Sequence, residues 1–174
     1  MKQTDTREVW QRGPVEGVPA LLQPVAHALL QALEETEKYT ENFSVNLLWE
    51  RPAHVASVGF HLLHLRGALD RLFTYARGEA LTAEQLKALS AEQQIPAELH
   101  QVSDLMDAFR QQVQKAIDQL KSTDKSILLQ ARTIGRKQIP TTVLGLLFHA
   151  AEHTQRHVGQ LLVTARILQA GEVK

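Results

Sequence analysis

The sequence predicts an all-α fold, a four-helix bundle with one short extra helix. Apolar residues recur at helical spacing in four long segments, and proline or glycine lies at most of the segment ends. Alternating β-branched runs bounded by tight turns are not seen, which disfavours a sheet. The chain has 174 residues, of which 44% are hydrophobic and 22% are charged. This length and composition suit a single core, so we expect one domain over residues 1–174.

The first two long helices are separated by a polar connection. Leucines and a valine at spacings of three and four predict the first helix over residues 19–39. The connection over residues 42–51 is followed by Pro52, which suits the start of a new helix. We predict the second helix over residues 53–77, with Gly78 as its C-terminal stop.

A short helix precedes the third long helix. Thr82 and Gln85 have the spacing of a capping box, in which each side chain binds the backbone N–H of the other, and they predict a helix through residue 89. Pro96 fits the first turn of a third long helix over residues 97–121.

The last long helix follows a connection over residues 122–138. Four apolar residues in this connection are too few for a bundle helix, and we expect the segment to pack over the bundle. Pro140 is predicted to start the last helix and Gly171 to end it. The apolar residues of the connection are Ile127, Leu128, Leu129 and Ile134.

Charge and composition exclude several classes of partner. Nineteen Lys and Arg residues balance nineteen Asp and Glu residues, which disfavours a nucleic-acid ligand. We expect no membrane association and a cytoplasmic location, because no long apolar run or signal-like N-terminus is visible. Cysteine is absent from the chain, so any metal must be bound by nitrogen and oxygen.

Histidines cluster on the second and last long helices. His153 and His157 are four residues apart, so their imidazoles share one helix face and can chelate one ion. A third nitrogen must come from a facing helix, and the helical wheel allows either His61 or His64. We interpret His27, His54 and His100 as hydrogen-bonded packing residues. The six clustered histidines are His54, His61, His64, His149, His153 and His157, and the other two are His27 and His100.

Two segments carry a family resemblance that covers most of the chain. The second helix contains HLRGALDRL and the last helix contains EHTQRHVGQ, within RPAHVASVGFHLLHLRGALDRLFTYARG and IPTTVLGLLFHAAEHTQRHVGQLLVTARIL. Both resemble the DinB-like superfamily of bacterial four-helix bundles, which includes the YfiT-type proteins. The resemblance implies a metal held by one histidine of the second helix and two of the last, here His64, His153 and His157.

Several polar residues near the predicted ligands have more than one possible role. His61 and His149 lie one turn before these ligand positions, and each fits a fourth ligand, a hydrogen-bond partner of a ligand or a proton carrier. We favour the hydrogen-bond partner. Gln160 is assigned either to packing or to a hydrogen bond near the site. Asp70 and Arg71 are placed on the exposed side of the second helix, as helix-docking residues.

The resemblance also implies a function. Three imidazoles with an open position describe a site that acts on small molecules, with zinc or nickel as the expected metal. Relatives include metal-dependent transferases that use low-molecular-weight thiols, and this is the leading expectation. The alternatives are a metal-dependent hydrolase and a non-enzymatic stress-response or interaction bundle. A homodimer is also implied. No general base or catalytic residue is identified on the last helix, where Glu152 lies about 100° from His153 on the helical wheel.

Overall fold

The computed structural model describes residues 6–95 and 101–172, and four long helices dominate this part of the chain. α2 packs against α4 and α5, and α1 packs against the same two helices, so the four form a closed ring. The predicted four-helix bundle is confirmed. The helices of the described residues are α1 (Gln23–Thr40), α2 (Val58–Ala76), α3 (Ala83–Ala91), α4 (Val102–Ser122) and α5 (Val143–Glu172), with 3-10 turns at Val9–Arg12, Ala20–Leu22, Val45–Leu47, Pro52–His54 and Lys125–Ile127.

The core lies between the four long helices, and its largest side chains are leucine and phenylalanine. Each long helix contributes residues at spacings of three and four, as the sequence pattern predicts. Burial of these side chains holds the helices together, since each large apolar side chain contributes about 1.5–3 kcal/mol when it leaves water. The largest fully buried side chains include Leu29, Leu62, Leu65, Leu69, Phe73, Phe109, Leu120, Leu146 and Leu147.

The second helix begins later than predicted, at Val58 rather than at residue 53. Ser57 is its N-cap, and the Ser57 side chain accepts a hydrogen bond from the backbone N–H of Phe60. Ala53 and His54 have positive φ angles of 49° and 63°, which no α-helix accommodates. His54 therefore lies on an exposed 3-10 turn and not on the helix.

The connection before α2 packs directly on the start of that helix. The backbone N–H of Gly59 donates to the carbonyl of Leu48 at 2.8 Å. A Cβ atom at position 59 would lie 2.6 Å from the Trp49 ring, so only glycine permits this approach. The connection thereby covers the N-terminal end of α2.

The short helix and its cap agree with the sequence prediction. Thr82 caps α3, and Gln85 closes the capping box by accepting the backbone N–H of Thr82. Pro96 and His100 lie outside the described residues, as does the predicted start of the third long helix. The described part of that helix, α4, ends at Ser122, one residue beyond the prediction.

The connection between α4 and α5 contains a small two-stranded sheet, which the sequence analysis did not predict. Residues Ala131–Ile134 form strand β1 and Ile139–Thr142 form strand β2, which pair antiparallel. Pro140 lies in β2 instead of starting the last helix. Proline is tolerated there because the strand is at an edge, and α5 starts at Val143, where Thr142 Oγ1 accepts the N–H of Gly145 at 3.0 Å.

The connection packs over the bundle as predicted, with one exception. Leu128 is buried, and Ile127 and Ile134 contact the core, whereas Leu129 is 79% exposed. α5 runs one residue past the predicted stop at Gly171. Within the described part of the chain, none of the helices combines the length and apolar character that spanning a bilayer requires.

Candidate metal centre

The candidate site lies between α2 and α5, which pack side by side. Spacings of three or four place His61 and His64 on one side of α2, and His149, His153 and His157 on one side of α5. Because these two faces meet in the bundle, five imidazoles gather in one region. The sequence predicted the two clusters, and the structure brings them together.

His64, His153 and His157 form the compact part of this cluster. One ring nitrogen from each lies within 4.8 Å of one ring nitrogen from each of the others. His64 Nε2 and His153 Nε2 are 2.8 Å apart, and the ring centroids of His64 and His157 are separated by 4.4 Å. Phe60 stacks on the His64 ring with an interplanar angle of 12°. These are the three residues for which a metal-binding role was expected.

The rings of His61, His153 and His157 are neutral at physiological pH. Burial, followed by electrostatic repulsion from His64, lowers the pKa of His153 to about 4 and that of His157 to about 3. The same two causes lower the pKa of His61 to about 4. Neutral imidazoles have a free lone pair, which is the form in which histidine binds metals.

His61 contacts the cluster through the ring of His157. Its side chain is buried, and its Nδ1 lies 3.1 Å from Nδ1 of His157. One of these two nitrogens donates a hydrogen to the other. This contact fits the favoured interpretation of His61 as a hydrogen-bond partner of a ligand.

A carboxylate that the sequence analysis missed binds the Nδ1 atom of His64, on the side of the ring away from His153. Glu92, which directly follows α3, accepts a hydrogen bond from His64 Nδ1 at 2.8 Å. Its second oxygen accepts from Arg71 Nη1. Burial alone would raise the pKa of Glu92, but the bonds from His64 and Arg71 and the charge of Arg71 lower it overall.

The placement of Arg71 on the exposed side of the second helix is therefore wrong. Arg71 is 9% exposed and turns toward Glu92 in the interior. Asp70 does act in helix docking, because its carboxylate accepts from the side chain of Gln85 on α3 at 2.8 Å. The sequence could show neither contact, since both depend on how α3 folds back onto α2.

Three further side chains border the cluster on α5. Arg156 donates from Nη2 to His153 Nδ1 at 2.9 Å and is half exposed. His149 lies beside His153, with 5.4 Å between ring centroids, and its Nδ1 is 2.6 Å from Glu152 Oε1. Glu152 also approaches Arg156, at 3.4 Å. These groups form the exposed edge of the site.

The remaining candidates lie apart from the cluster. Gln160 is exposed and makes no hydrogen bond to the cluster within residues 6–95 and 101–172. His27 binds the carbonyl of Gly13 at 3.0 Å, consistent with a packing role, and His54 is exposed on its turn. His100 falls outside the described residues.

The donor set suits a divalent transition metal. Neutral imidazole nitrogens are ligands of zinc, nickel, cobalt and copper. Each of the three rings also has a hydrogen-bond partner outside the triad that fixes its orientation: Glu92 for His64, Arg156 for His153 and His61 for His157. The site residues therefore fit such an ion.

The sequence was compared with models of known protein families and with curated proteins. A model of the DinB superfamily matches residues 28–161, which include α2, α3 and α4 and the cluster residues of α5. No curated protein matches the chain. The family match covers well over half of the chain and agrees with the resemblance carried by its two histidine-containing helices. The chain belongs to the DinB superfamily.

Proposed function

We propose that this protein binds one divalent transition metal ion, zinc or nickel, through His64, His153 and His157. The observation that carries the proposal is the approach of three ring nitrogens, from two helices, within 4.8 Å. Four protein ligands normally close a structural zinc site, whereas three imidazoles leave a position open to a small molecule. The open position suits a functional site better than a purely structural one.

We further propose that the protein is a transferase that acts with a low-molecular-weight thiol. A bound divalent ion would supply Lewis-acid chemistry, lowering the pKa of a thiol or a water molecule that reaches it. The nearby carboxylates are already engaged, since Glu92 accepts from His64 and Arg71 and Glu152 contacts His149. A thiol activated in this way needs no general base from the protein, which agrees with the engaged carboxylates.

The transfer balances without an external oxidant or reductant. The thiol proton goes to solvent, and the thiolate sulfur forms a bond to an electrophilic carbon of the substrate. The leaving group departs with the electron pair of the bond that breaks. Arg156, whose side chain is 53% exposed beside His153, offers a guanidinium to an anionic leaving group or to a carboxylate of the thiol.

One observation favours hydrolysis as a second candidate. The His149 and Glu152 pair lies at the exposed edge of the site, with 2.6 Å between His149 Nδ1 and a carboxylate oxygen. A histidine oriented by a carboxylate is a suitable general base for a water molecule. The homodimer implied by the family resemblance stays a prediction, which light scattering of the purified protein would test.

Metal titration tests the first proposal. We expect His64→Ala, His153→Ala and His157→Ala each to lose most of the affinity for Zn²⁺ measured by calorimetry. His61→Ala should cost only about 10- to 100-fold, the range typical of residues that support a ligand. His27→Ala, on α1, is the control and should bind like the parent. A larger loss for His61→Ala than for His64→Ala would mean that the ligand on α2 is misassigned.

Activity assays distinguish the proposed reactions. The metal-loaded protein is mixed with a low-molecular-weight thiol and an electrophilic aryl halide, and loss of free thiol is followed beside ester and amide hydrolysis. Thiol consumption that stops with a chelator supports the transferase. Chelator-sensitive hydrolysis alone would favour the second candidate, and silence in all three assays would favour a non-enzymatic metal-binding bundle.

A further inference from the structure

Glu92, Arg71 and Gly67 lie together beside His64, and none of them is a proposed metal ligand. Glu92 is 28 positions away from His64 along the chain, yet its Oε2 lies 2.8 Å from His64 Nδ1. The side chains of Glu92 and Arg71 are only 10% and 11% exposed. A buried ion pair contributes little to stability on balance, because removal of its charges from water costs about as much as their attraction gains. Stability alone therefore does not explain why Glu92 and Arg71 are paired in a buried position.

Gly67 supplies the space that the pair occupies. A Cβ atom at position 67 would lie 2.5 Å from Glu92 Oε1 and 2.7 Å from Arg71 Nη1. Glycine in a helix interior is unfavourable compared with alanine, so its presence in α2 carries a cost in stability. The backbone of α2 thus leaves an opening through which the carboxylate reaches the ring of His64.

We infer that Glu92, held by Arg71 in the opening at Gly67, is a positioning residue that fixes the tautomer and orientation of His64 for metal binding. A carboxylate has no hydrogen to donate, so the bond between Glu92 and His64 requires the proton on His64 Nδ1. The Nε2 lone pair of His64 then points toward His153 and His157, and Nε2 of His153 lies 2.8 Å from it. Arg71 donates to the other carboxylate oxygen, which keeps Glu92 from rotating toward the three histidines and becoming a ligand itself.

This inference rests on the proposed metal site, and Glu92→Gln tests it most directly. An amide has one accepting oxygen and one donating NH₂ group, so it cannot replace both carboxylate oxygens, one of which accepts from His64 and the other from Arg71. If the oxygen stays with Arg71, the NH₂ group faces His64 and favours the tautomer with the proton on Nε2, which cannot bind a metal through that atom. We expect Glu92→Gln to weaken Zn²⁺ binding about 10- to 100-fold.

Gly67→Ala displaces the carboxylate without removing it. The atoms that the new methyl group would meet are the ends of flexible side chains, so the helix accommodates the change while the pair moves aside. We expect an unchanged or higher melting temperature together with a loss of Zn²⁺ affinity like that of Glu92→Gln. Gly159→Ala, whose Cβ meets nothing within 4 Å, is the matched control for alanine in a helix. Glu79→Gln, which breaks an exposed pair with Arg77, is the control for charge.

Nitrogen NMR of the metal-free protein provides a readout that a purely structural role would not move. Two-dimensional spectra of ¹⁵N-labelled imidazoles report which nitrogen of His64 carries the proton. We expect the Nδ1–H tautomer in the parent and in both controls, and a shift toward Nε2–H in Glu92→Gln and Gly67→Ala. This measurement decides the role of Glu92 even if the parent protein binds no metal, an outcome that would refute the proposed function instead.

Two results would overturn the inference. An unchanged His64 tautomer in Glu92→Gln, with Zn²⁺ affinity within threefold of the parent, would mean that Glu92 does not position the ring. A loss of affinity as large as that of His64→Ala would mean that Glu92 is itself a ligand.

Discussion

At the scale of single residues, hydrogen-bond chemistry assigns the protons of the metal-free cluster. Arg156 can only donate, so its bond to His153 Nδ1 makes that nitrogen an acceptor. A neutral His153 ring then carries its proton on Nε2 and donates to Nε2 of His64, which in turn donates from Nδ1 to Glu92. The donors and acceptors from Arg156 to Glu92 are therefore consistent along the whole chain of contacts.

This order of protons predicts that Arg156 opposes metal binding. Its donation to Nδ1 favours the His153 tautomer whose Nε2 is protonated, and its positive charge repels a nearby cation. We expect Arg156→Ala to tighten Zn²⁺ binding by about two- to fivefold, the modest effect typical of an exposed charge. Arg166→Ala, an exposed arginine further along α5, should leave the affinity measured by calorimetry unchanged. Weaker binding by Arg156→Ala would show that Arg156 supports the site.

The sequence predicts residues that repeat along one helix better than residues that meet across helices. His153 and His157 follow from their spacing on α5 alone, and His64 required the family resemblance because the wheel also allowed His61. Glu92 could not be predicted, since no periodicity links it to His64. Arg71 was misplaced because its burial depends on Glu92.

At the scale of secondary-structure elements, the short helix α3 determines where Glu92 lies. The side chain of Gln85 donates to Asp70 Oδ2 and to Thr74 Oγ1, both at 2.8 Å, and thereby attaches α3 to α2. Glu92 follows the last residue of α3 directly. The cap and the docking contacts of this helix therefore bear on the geometry at His64, although none of them touches the cluster.

The capping box of α3 gives a prediction for stability. Thr82 accepts the N–H of Gln85 at 3.2 Å, and the loss of such a cap typically costs about 1 kcal/mol. We expect Thr82→Ala to lower the free energy of unfolding by about that amount in urea denaturation. Ser90→Ala, at the exposed C-terminal end of the same helix, should change it by less than about 0.5 kcal/mol. Equal effects of both substitutions would mean that the cap does not stabilise α3.

Helices were predicted from periodicity, and the start of α3 was accurate because its capping residue was recognised in the sequence. Thr82 located the start of α3, whereas Ser57, the cap of α2, was overlooked in favour of Pro52. The hairpin was missed because its strands have only four residues each, too few for an alternating pattern to stand out. Pro140 indicated a helix start because proline is common in the first turn of helices, but it occupies an edge strand.

At the scale of the whole molecule, the ring of four helices decides which histidines meet. The apolar periodicity predicts four helices, but it leaves their order around the core undetermined. α2 packs against α5 and brings two histidine-bearing faces together, whereas the sequence alone permits either helix to face α1 or α4 instead. The proximity of the two clusters was expected only because one metal would need ligands from both.

The lowered histidine pKa values predict how the stability of the whole metal-free protein depends on pH. In the unfolded chain these rings titrate near their ordinary pKa of 6.5, whereas burial keeps His61 and His153 neutral down to about pH 4 and His157 down to about pH 3. As pH falls below about 6.5, the unfolded state binds protons that the folded state does not. The free energy of unfolding therefore decreases between about pH 6.5 and pH 4, and it is largest above that window.

Urea denaturation with a chelator present, at steps from pH 7.5 to pH 4.5, measures this dependence. We expect the midpoint to fall steadily once the pH drops below about 6.5, and His157→Gln should flatten the decline because it removes the most strongly shifted of these groups. Saturating Zn²⁺ should hold the midpoint higher at pH 7.5 and lose that advantage on acidification, since the ion competes with protons for the same nitrogens. A midpoint that stays constant or rises as the pH falls would show that the cluster is not kept neutral by the fold.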